Sequence, residues 1–593
     1  MKVAEYVASF LEKKGIKNVF MLSGGFCLPL VDAIADSNIN YVCNLHEQAA
    51  AICAEAHAQY TNLPGVCLVT AGPGSTNTIT GVASAWLDSI PMIILSGQVQ
   101  SKDIKGRRKV RQIGFQEVDI VSIVKSITKS AVTVADPRDI KCVMECVWNE
   151  ATTGRPGPVW VDIPLDVQSA QINIEELRSF IPEEKEDKSK ELKEKIAKLY
   201  ELVNSAKRPI IMVGNGVRLA NAKQEFLQLI DKLNIPILTT WKSMDFMSEN
   251  HPLYVGRPGL IGQRGANFSQ QNSDLFISIG ARLDYGQTAF NHKNFAKKAK
   301  KIIIDVDQSE IDKMEFDIEC EINFDAKEAI EEILEQSDKK LKDFSGWLSI
   351  CKNWHEKYPV VLKEYWEQEE YVSNYVIVDA LSQIMKEGDL LIPGSSGACS
   401  EVTMQAFKVK DGIRIFNSEG LGSMGFGVPA AIGGCIASDK KRTVCVDGDG
   451  GFIMNVQELE TVKRLNLPIK YFVLNNGGYA SIRNSQSKHF DKEVASGNNS
   501  GVTLPDIKKI ANSYGIKYHR LDNHENIIEN VKDILNHPGP SICEVMMLHT
   551  HESLPRNSTH KREDGTFVSL PMEDLLPLLP RDEFEENMSV GND

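Results

Sequence analysis

The sequence predicts an α/β protein built from three doubly wound parallel-sheet domains, and three observations predict it. The chain has 593 residues, more than one hydrophobic core normally supports. Short apolar runs of strand length alternate with helical patterns from Asn18 through Pro164, again from Arg208, and again in the last third. That rhythm belongs to βαβ units whose sheets are covered on both faces. Two charge-rich stretches, 181–190 and Lys339 to Glu370, interrupt it. The predicted units are therefore residues 1–170, 190–340 and 365–548, followed by a polar, proline-bearing tail over 549–593 with a final helix-like acidic segment.

Composition narrows the function classes. A net charge of −14 argues against nucleic acid as a partner, because phosphate contacts need a basic surface. The basic clusters Lys105 to Lys109 and Lys297 to Lys301 are short and read as solvated faces. No segment reaches the roughly 20 apolar residues of a membrane span. The N-terminus places Val3, Tyr6, Val7, Phe10 and Leu11 on one helical face before the strand Asn18 to Leu22, with no apolar signal-peptide core. The twelve cysteines are scattered; Cys142 and Cys146, one helical turn apart, read as packing. A reduced, cytoplasmic setting is expected.

Taken in chain order, three segments carry chemistry. Tyr41 to Ala50 is a strand that ends in His46-Glu47-Gln48 and enters an alanine-rich helix. Glu47 opens that helix, where the dipole stabilises its charge; alone, this is a cap-like feature. After the strand Val66 to Val69, Thr70-Ala-Gly-Pro-Gly-Ser-Thr-Asn77 makes a sharp strand-to-helix turn. It is either a ligand-facing loop or an ordinary turn with a Ser/Thr/Asn cap.

The third segment is the most telling. A strand, Thr443 to Val446, leads into Gly448-Asp449-Gly450-Gly451. A helix with apolar positions Val456, Leu459, Val462 and Leu465 crosses back, and the strand Tyr471 to Leu474 delivers Asn475-Asn476, with Asn476 27 positions after Asp449. Two hard oxygen ligands then stand side by side at one sheet edge. Such a pair suits Mg²⁺, which takes six oxygens and prefers some of them from a phosphate-bearing ligand. One carboxylate (Asp449), one amide (Asn476) and a backbone carbonyl near Gly478 complete such a site, while the glycines and the helix N-terminus after Gly451 suit a diphosphate. A calcium loop starting at Asp447 is rejected, because Gly451 stands where a side-chain ligand is needed and Phe452 where the loop requires glycine.

The order HEQAA, AGPGSTN, ILSGQV, FQEVD, GPVWVDIPLDVQ, SIGARLD, LGSMGFGVPAAIG, GDGGF and LNNGGY resembles the thiamine diphosphate enzymes of the acetohydroxyacid synthase (acetolactate synthase) and pyruvate oxidase group, from about Met1 to about Pro555. The resemblance implies a pyrimidine-binding domain, a central domain and a diphosphate-binding domain, with thiamine diphosphate and Mg²⁺ as cofactors. It makes Glu47 the acid that hydrogen-bonds N1' of the aminopyrimidine, and Pro73 and Asn77 contacts to the same ring. The carbonyl of Gly422 would accept from the 4'-amino group, and Met424 would bend the cofactor; without the resemblance Met424 reads as core packing. The loop Gly394-Ser395-Ser396-Gly397 falls where the family binds the diphosphate, with the hydroxyls of Ser395 and Ser396 as donors. The family also builds its site across a subunit interface, which implies a homodimer or homotetramer.

The substrate so implied is a small 2-oxo acid, pyruvate foremost, whose two-carbon unit passes to a carbonyl acceptor. Gln98 and Gln116 are candidates for polar contacts to the reacting carbonyls; the alternative is that they are loop-stabilising amides. In the central domain Gly259 to Gly265, Gly280 to Asp284 and Asp305-Val-Asp307 resemble flavin-contacting segments. Family members without flavin use similar segments structurally or for a nucleotide such as ADP, so FAD stays open. One departure stands out. Acetohydroxyacid synthases carry a glycine-methionine pair and a tryptophan after the Asn-Asn, whereas this chain reads Gly-Gly-Tyr479-Ala-Ser481-Ile-Arg483. A tyrosine, a serine and an arginine facing the site would suit a polar acceptor such as a keto sugar. A 2-oxo acid decarboxylase or aldehyde lyase and a flavin-dependent pyruvate oxidase share the cofactor motifs and stay open. A non-catalytic scaffold is disfavoured by the retention of both Glu47 and Asp449.

Overall fold

The computed structural model describes residues 1–184, 186–337, 341–394, 397–490, 492–550, 552–561 and 564–590. Ser395, Ser396 and the stretch 338–340, where the second charged connector begins, lie outside the described residues. The chain forms three six-stranded sheets, each parallel throughout. In spatial order the first is Asn40–Cys43, Asn18–Met21, Gly65–Val69, Met92–Gln98, Pro158–Pro164 and Ser130–Thr133. The second is Cys320–Ile322, Lys300–Ile304, Leu275–Ile279, Pro209–Val213, Ile237–Thr239 and Tyr254–Gly256. The third is Arg414–Ile415, Leu390–Pro393, Thr443–Gly448, Ile469–Asn475, Ser541–Met546 and Lys517–Leu521. Counted in chain order within each sheet, the first and third share the order 2-1-3-4-6-5, and the central sheet reads 3-2-1-4-5-6. The central order reverses once and the other two twice, and the reversal beside each sheet's first strand is the place for a ligand crevice at the carboxyl ends of the strands.

The first and third sheets share one hydrophobic core. Its axis is the helix Glu47–Thr61, buried along almost its whole length. Alanines let this helix press against Gly427–Ala437. A Cβ on Gly433 would lie 2.2 Å from the Cys53 carbonyl oxygen, and one on Gly81 2.7 Å from the Ala51 Cβ. The central domain joins through a buried polar seam. Lys242 donates to Gln59 Oε1 at 2.6 Å, to Asp88 Oδ2 at 3.0 Å and to the Asn417 carbonyl at 2.7 Å, touching all three sheets' domains. Arg414 pairs with Asp245 at 2.7 Å and donates to the Gln59 carbonyl.

Two features differ from, or add to, the sequence expectation. The helix expected through Val456 and Leu465 is broken into Asp449–Ile453, a single 3-10 turn Val456–Glu458, and Leu459–Arg464. The break turns Asn455 and Glu458 toward the N-terminal domain, where Asn455 Nδ2 donates to Gln48 Oε1 at 3.1 Å and Glu458 Oε1 accepts from the amides of Leu45 and His46 at 2.8 and 3.1 Å. The tail returns to the central domain. The helix Arg264–Asn272 is buried although six of its nine residues are polar, and tail carbonyls receive several of its donors: Asn267 to Met572, Arg264 to Leu575 and Pro577, Asn272 to Asn587. The acidic helix expected in the tail is Arg581–Ser589.

The seam gives stability a pH dependence. Burial, with Asp88 adding to it against Lys242, Ser84 and Gln59, pushes the Glu55 carboxyl up to about 8. Folded protein therefore keeps a proton that the unfolded chain releases above about 4.5, so this group's contribution declines as pH rises from about 5 to 8. The melting temperature is expected to fall across that window, with a shallower slope for Glu55→Gln in calorimetric scans; equal slopes would contradict the assignment.

Candidate active site

The third sheet reverses between Leu390–Pro393 and Thr443–Gly448, and the acidic and amide residues singled out in the sequence gather there. Asp449 is the first residue of the helix Asp449–Ile453 and is 2 % exposed. Its Oδ1 accepts from the Gly450 amide at 2.8 Å, and its Oδ2 from the amides of Gly477 and Gly478 at 2.9 and 3.0 Å. One carboxylate thus ties the tips of two adjacent strands. Burial raises its pKa to about 6 against these bonds and the nearby Arg483. Asn476 and Gly478 follow directly on the next strand.

A Cβ on Gly448 would meet nothing within 4 Å, which leaves that backbone open, whereas the neighbouring glycines are demanded by close packing. A Cβ on Gly394 would lie 2.1 Å from Asp447 Oδ1, one on Gly451 2.6 Å from the same atom, and one on Gly450 2.5 Å from the Tyr479 ring and 3.1 Å from Met424 Cε. Gly478 has φ +133, a conformation other residues avoid. Met424 and Gly450 therefore meet, as do Gly397 and Ser481: a Cβ on Gly397 would lie 2.5 Å from Ser481 Oγ. Beneath them Asp447 is enclosed, its carboxyl raised to about 7 by burial, with Oδ2 lacking a hydrogen-bond partner among the described residues. An oxygen-only donor set, glycine-stripped backbone and an unpaired buried carboxyl oxygen together fit a hard divalent cation and a diphosphate.

The first sheet supplies a second group. Glu47 begins its helix behind His46, whose ring accepts from the Gln48 amide. Glu47 Oε2 accepts from Asn77 Nδ2 at 2.9 Å, and a Cβ on Gly74 would lie 3.6 Å from Oε1. Pro73 and Asn77 are exposed on the same loop. Gln116 is placed alongside: its carbonyl would lie 2.4 Å from a Cβ on Gly72, and its own φ is +62. Gln98 is held elsewhere. Its Nε2 donates to the Val118 carbonyl at 3.1 Å and to Asp162 Oδ2 at 3.2 Å, and its Oε1 accepts from the Val99 amide at 3.0 Å. That is the loop-stabilising arrangement, with both amide hydrogens engaged.

The two groups are linked within one chain by the bonds from Gln48 through Asn455 to the Gly425 carbonyl, next to Met424 and three residues from Gly422. Asn455, Glu458 and Asp447 carry no sequence signal beyond their proximity to the glycine motif. Arg483 corrects the expectation of an arginine facing the site. It is fully enclosed and donates to backbone carbonyls around the Asn475–Gly478 turn.

A further crevice opens at the reversal of the central sheet. It is lined by Gly214, Gly216, Gly280, Arg282, Asp284 and Asp305, in the strand order and position that bind dinucleotides. Asp305 sits at a strand end, raised to about 6 by burial. Asp307 instead caps a helix and pairs with Arg155 at 3.0 Å, and Arg264 is occupied by the tail.

Comparison with known proteins fits this geometry. Residues 1–123 match the thiamine pyrophosphate enzyme N-terminal TPP binding domain, residues 196–333 the central domain and residues 395–545 the C-terminal TPP binding domain. The chain belongs to the thiamine pyrophosphate enzymes, and within them to the acetolactate synthase-like group. It is 34 % identical over 565 residues to the probable acetolactate synthase large subunit of Methanococcus aeolicus, covering 92 % of each chain. It is 33 % identical to the acetolactate synthase large subunit of Cyanidium caldarium, covering 92 % of this chain and 93 % of that one. It is 31 % identical to the acetolactate synthase isozyme 1 large subunit of Escherichia coli (strain K12), covering 91 % and 93 %.

Gly450→Ala drives a methyl group into Tyr479 and Met424. Calorimetric titration is expected to show thiamine diphosphate binding weakened by about tenfold or more, with circular dichroism unaltered.

Proposed function

We propose that the protein decarboxylates a small 2-oxo acid, pyruvate, and joins the resulting two-carbon unit to a polar carbonyl acceptor. The observation that carries this is the pairing of two half-sites: Asp449 bonded to the amides of the next strand tip, and Glu47 bonded to Asn77 on the loop after the first sheet's switch point. Asp449, Asn476 and the Gly478 carbonyl would hold Mg²⁺, with Gly448 giving the diphosphate access. Bound thiamine diphosphate supplies the electron sink for negative charge that develops as carbon dioxide leaves. Glu47 would offer a buried carboxyl to the pyrimidine nitrogen of the cofactor, the Gly422 carbonyl would accept from its amino group, and Met424 would pack against it. The family's use of two subunits per site supports a homodimer at least, and Phe115, 78 % exposed, and Leu28, 56 % exposed, give apolar surface for it.

The acceptor's polarity rests on a cleft rather than on Arg483. The cleft reaches Gly422 and is lined by Trp241, Arg282, Tyr285, Ser400 and Asn417, and Asn417 Oδ1 is buried without a partner among the described residues. An aromatic wall with unspent hydrogen-bonding groups suits a polyhydroxylated carbonyl such as a keto sugar. In the central crevice the strand order and Asp305 support a nucleotide ligand, and FAD is the proposed occupant. A visible flavin band in the purified protein supports FAD; binding of ADP without that band points to a nucleotide alone.

With [2-¹³C]pyruvate and a keto-sugar acceptor, NMR is expected to show label in a new carbon–carbon bond. Free acetaldehyde as the sole product would reduce the protein to a decarboxylase. Glu47→Gln is expected to retain thiamine diphosphate but to lower turnover by about 10² or more, and Asp449→Ala to lose metal and cofactor together; unchanged turnover in Glu47→Gln would exclude the proton role.

A further inference from the structure

A fully buried guanidinium is costly unless every part of it is hydrogen-bonded. Arg483 is 0 % exposed, and the carboxylates of Asp449 and Glu493 act on it only through space. Carbonyls surround it instead. Nη2 donates to the Asn476 carbonyl at 2.9 Å and to Asn476 Oδ1 at 3.0 Å, Nη1 to the Ser496 carbonyl at 2.9 Å, and Nε to the His549 carbonyl at 3.2 Å. Three separate segments thus converge on one planar fork, a task that suits arginine and not lysine. Two glycines make the room: a Cβ on Gly478 or Gly497 would lie 3.1 or 3.2 Å from Nη1.

The turn is held from two sides. Asp449 takes the amides of Gly477 and Gly478, while Arg483 takes the carbonyl of Asn476 on the other side. Nη2 has two hydrogens but three acceptors, because the His549 carbonyl also receives it. The bond to Asn476 Oδ1 can therefore be given up while the backbone stays clasped.

We infer that Arg483 is a positioning residue of the divalent-cation site: it fixes the 476–478 turn so that the Asn476 amide oxygen and the Gly478 carbonyl face the ion. The inference rests on the proposal that Asp449 and Asn476 hold that ion. Two effects of Arg483 oppose each other, since a guanidinium beside a dication repels it while the clasp orders its ligands. Geometry prevails, because Mg²⁺ demands a near-ideal octahedron and the guanidinium charge is shared among carbonyls and faced by Asp449.

The test is Mn²⁺ titration of the full-length protein with thiamine diphosphate present, read from the electron paramagnetic resonance signal of the free ion. Arg483→Gln is expected to weaken Mn²⁺ binding by about 10- to 100-fold, the usual effect of removing a group that orients a metal ligand. Excess metal should recover the larger part of any lost activity. Gly497→Ala keeps every charge and crowds the clasp itself, its Cβ lying 3.2 Å from both Arg483 Nη1 and the Gly477 carbonyl; it should shift the affinity in the same direction by a smaller factor, and it carries the test should Arg483→Gln fail to fold. Equal or tighter Mn²⁺ binding in a folded variant overturns the inference. Absence of Mn²⁺ binding by the unaltered protein overturns the metal site itself.

Discussion

Everything in this molecule depends on how closely two helices can approach. The helix Glu47–Thr61 runs against Gly427–Ala437 with the Gly433 α-carbon over the Cys53 carbonyl, and Cys53 Sγ donates to the Pro429 carbonyl at 3.1 Å. This contact locks the first sheet to the third and sets the direction in which Glu47 points relative to the Asp449 loop. It works only because the facing residues are alanine and glycine, since close-packed interiors give no slack for larger side chains. The polar seam around Lys242 and Asp245 then fixes the central domain on that pair.

The electrostatic pattern follows from the same constraint. Parallel sheets put every strand's carboxyl end on one edge, so the chemistry-bearing residues Asp449, Asn476, Thr70 and Asp305 all emerge from strand tips. Burial there raises Asp447, Asp449 and Asp305 above the ordinary carboxylate range. Acids held near neutrality by their surroundings are poised for a cation or a hydrogen-bonding ligand to change their state.

Much of this was legible in the sequence, and the limits have physical causes. The parallel sheets could be read because fully buried strands are continuous apolar runs, and Asp449 with Asn476 because a βαβ unit fixes their separation. Glu47 and Asn77 could be paired only through family resemblance, since nothing local ties a helix start to a loop 30 residues on. Arg483 was expected to face the site, and its enclosure could not be read locally because the space for it is made by Gly478 together with Gly497, on a later segment. The two readings of Gln98, substrate contact or loop-stabilising amide, could not be separated in sequence because its partner Asp162 lies on another strand. The helix Arg264–Asn272 has Ala266 and Phe268 as its only larger apolar positions, too few for a stripe, and several of its buried donors end on carbonyls more than 300 residues away.

That last dependence joins the tail to the middle domain. The polar helix also bonds within its own domain, to Gly259 and Asn294, but four of its bonds end on the carbonyls of Met572, Leu575, Pro577 and Asn587. Detaching that segment would strand buried donors without acceptors, a cost that falls on the central domain. Tail and middle therefore hold or loosen as one unit.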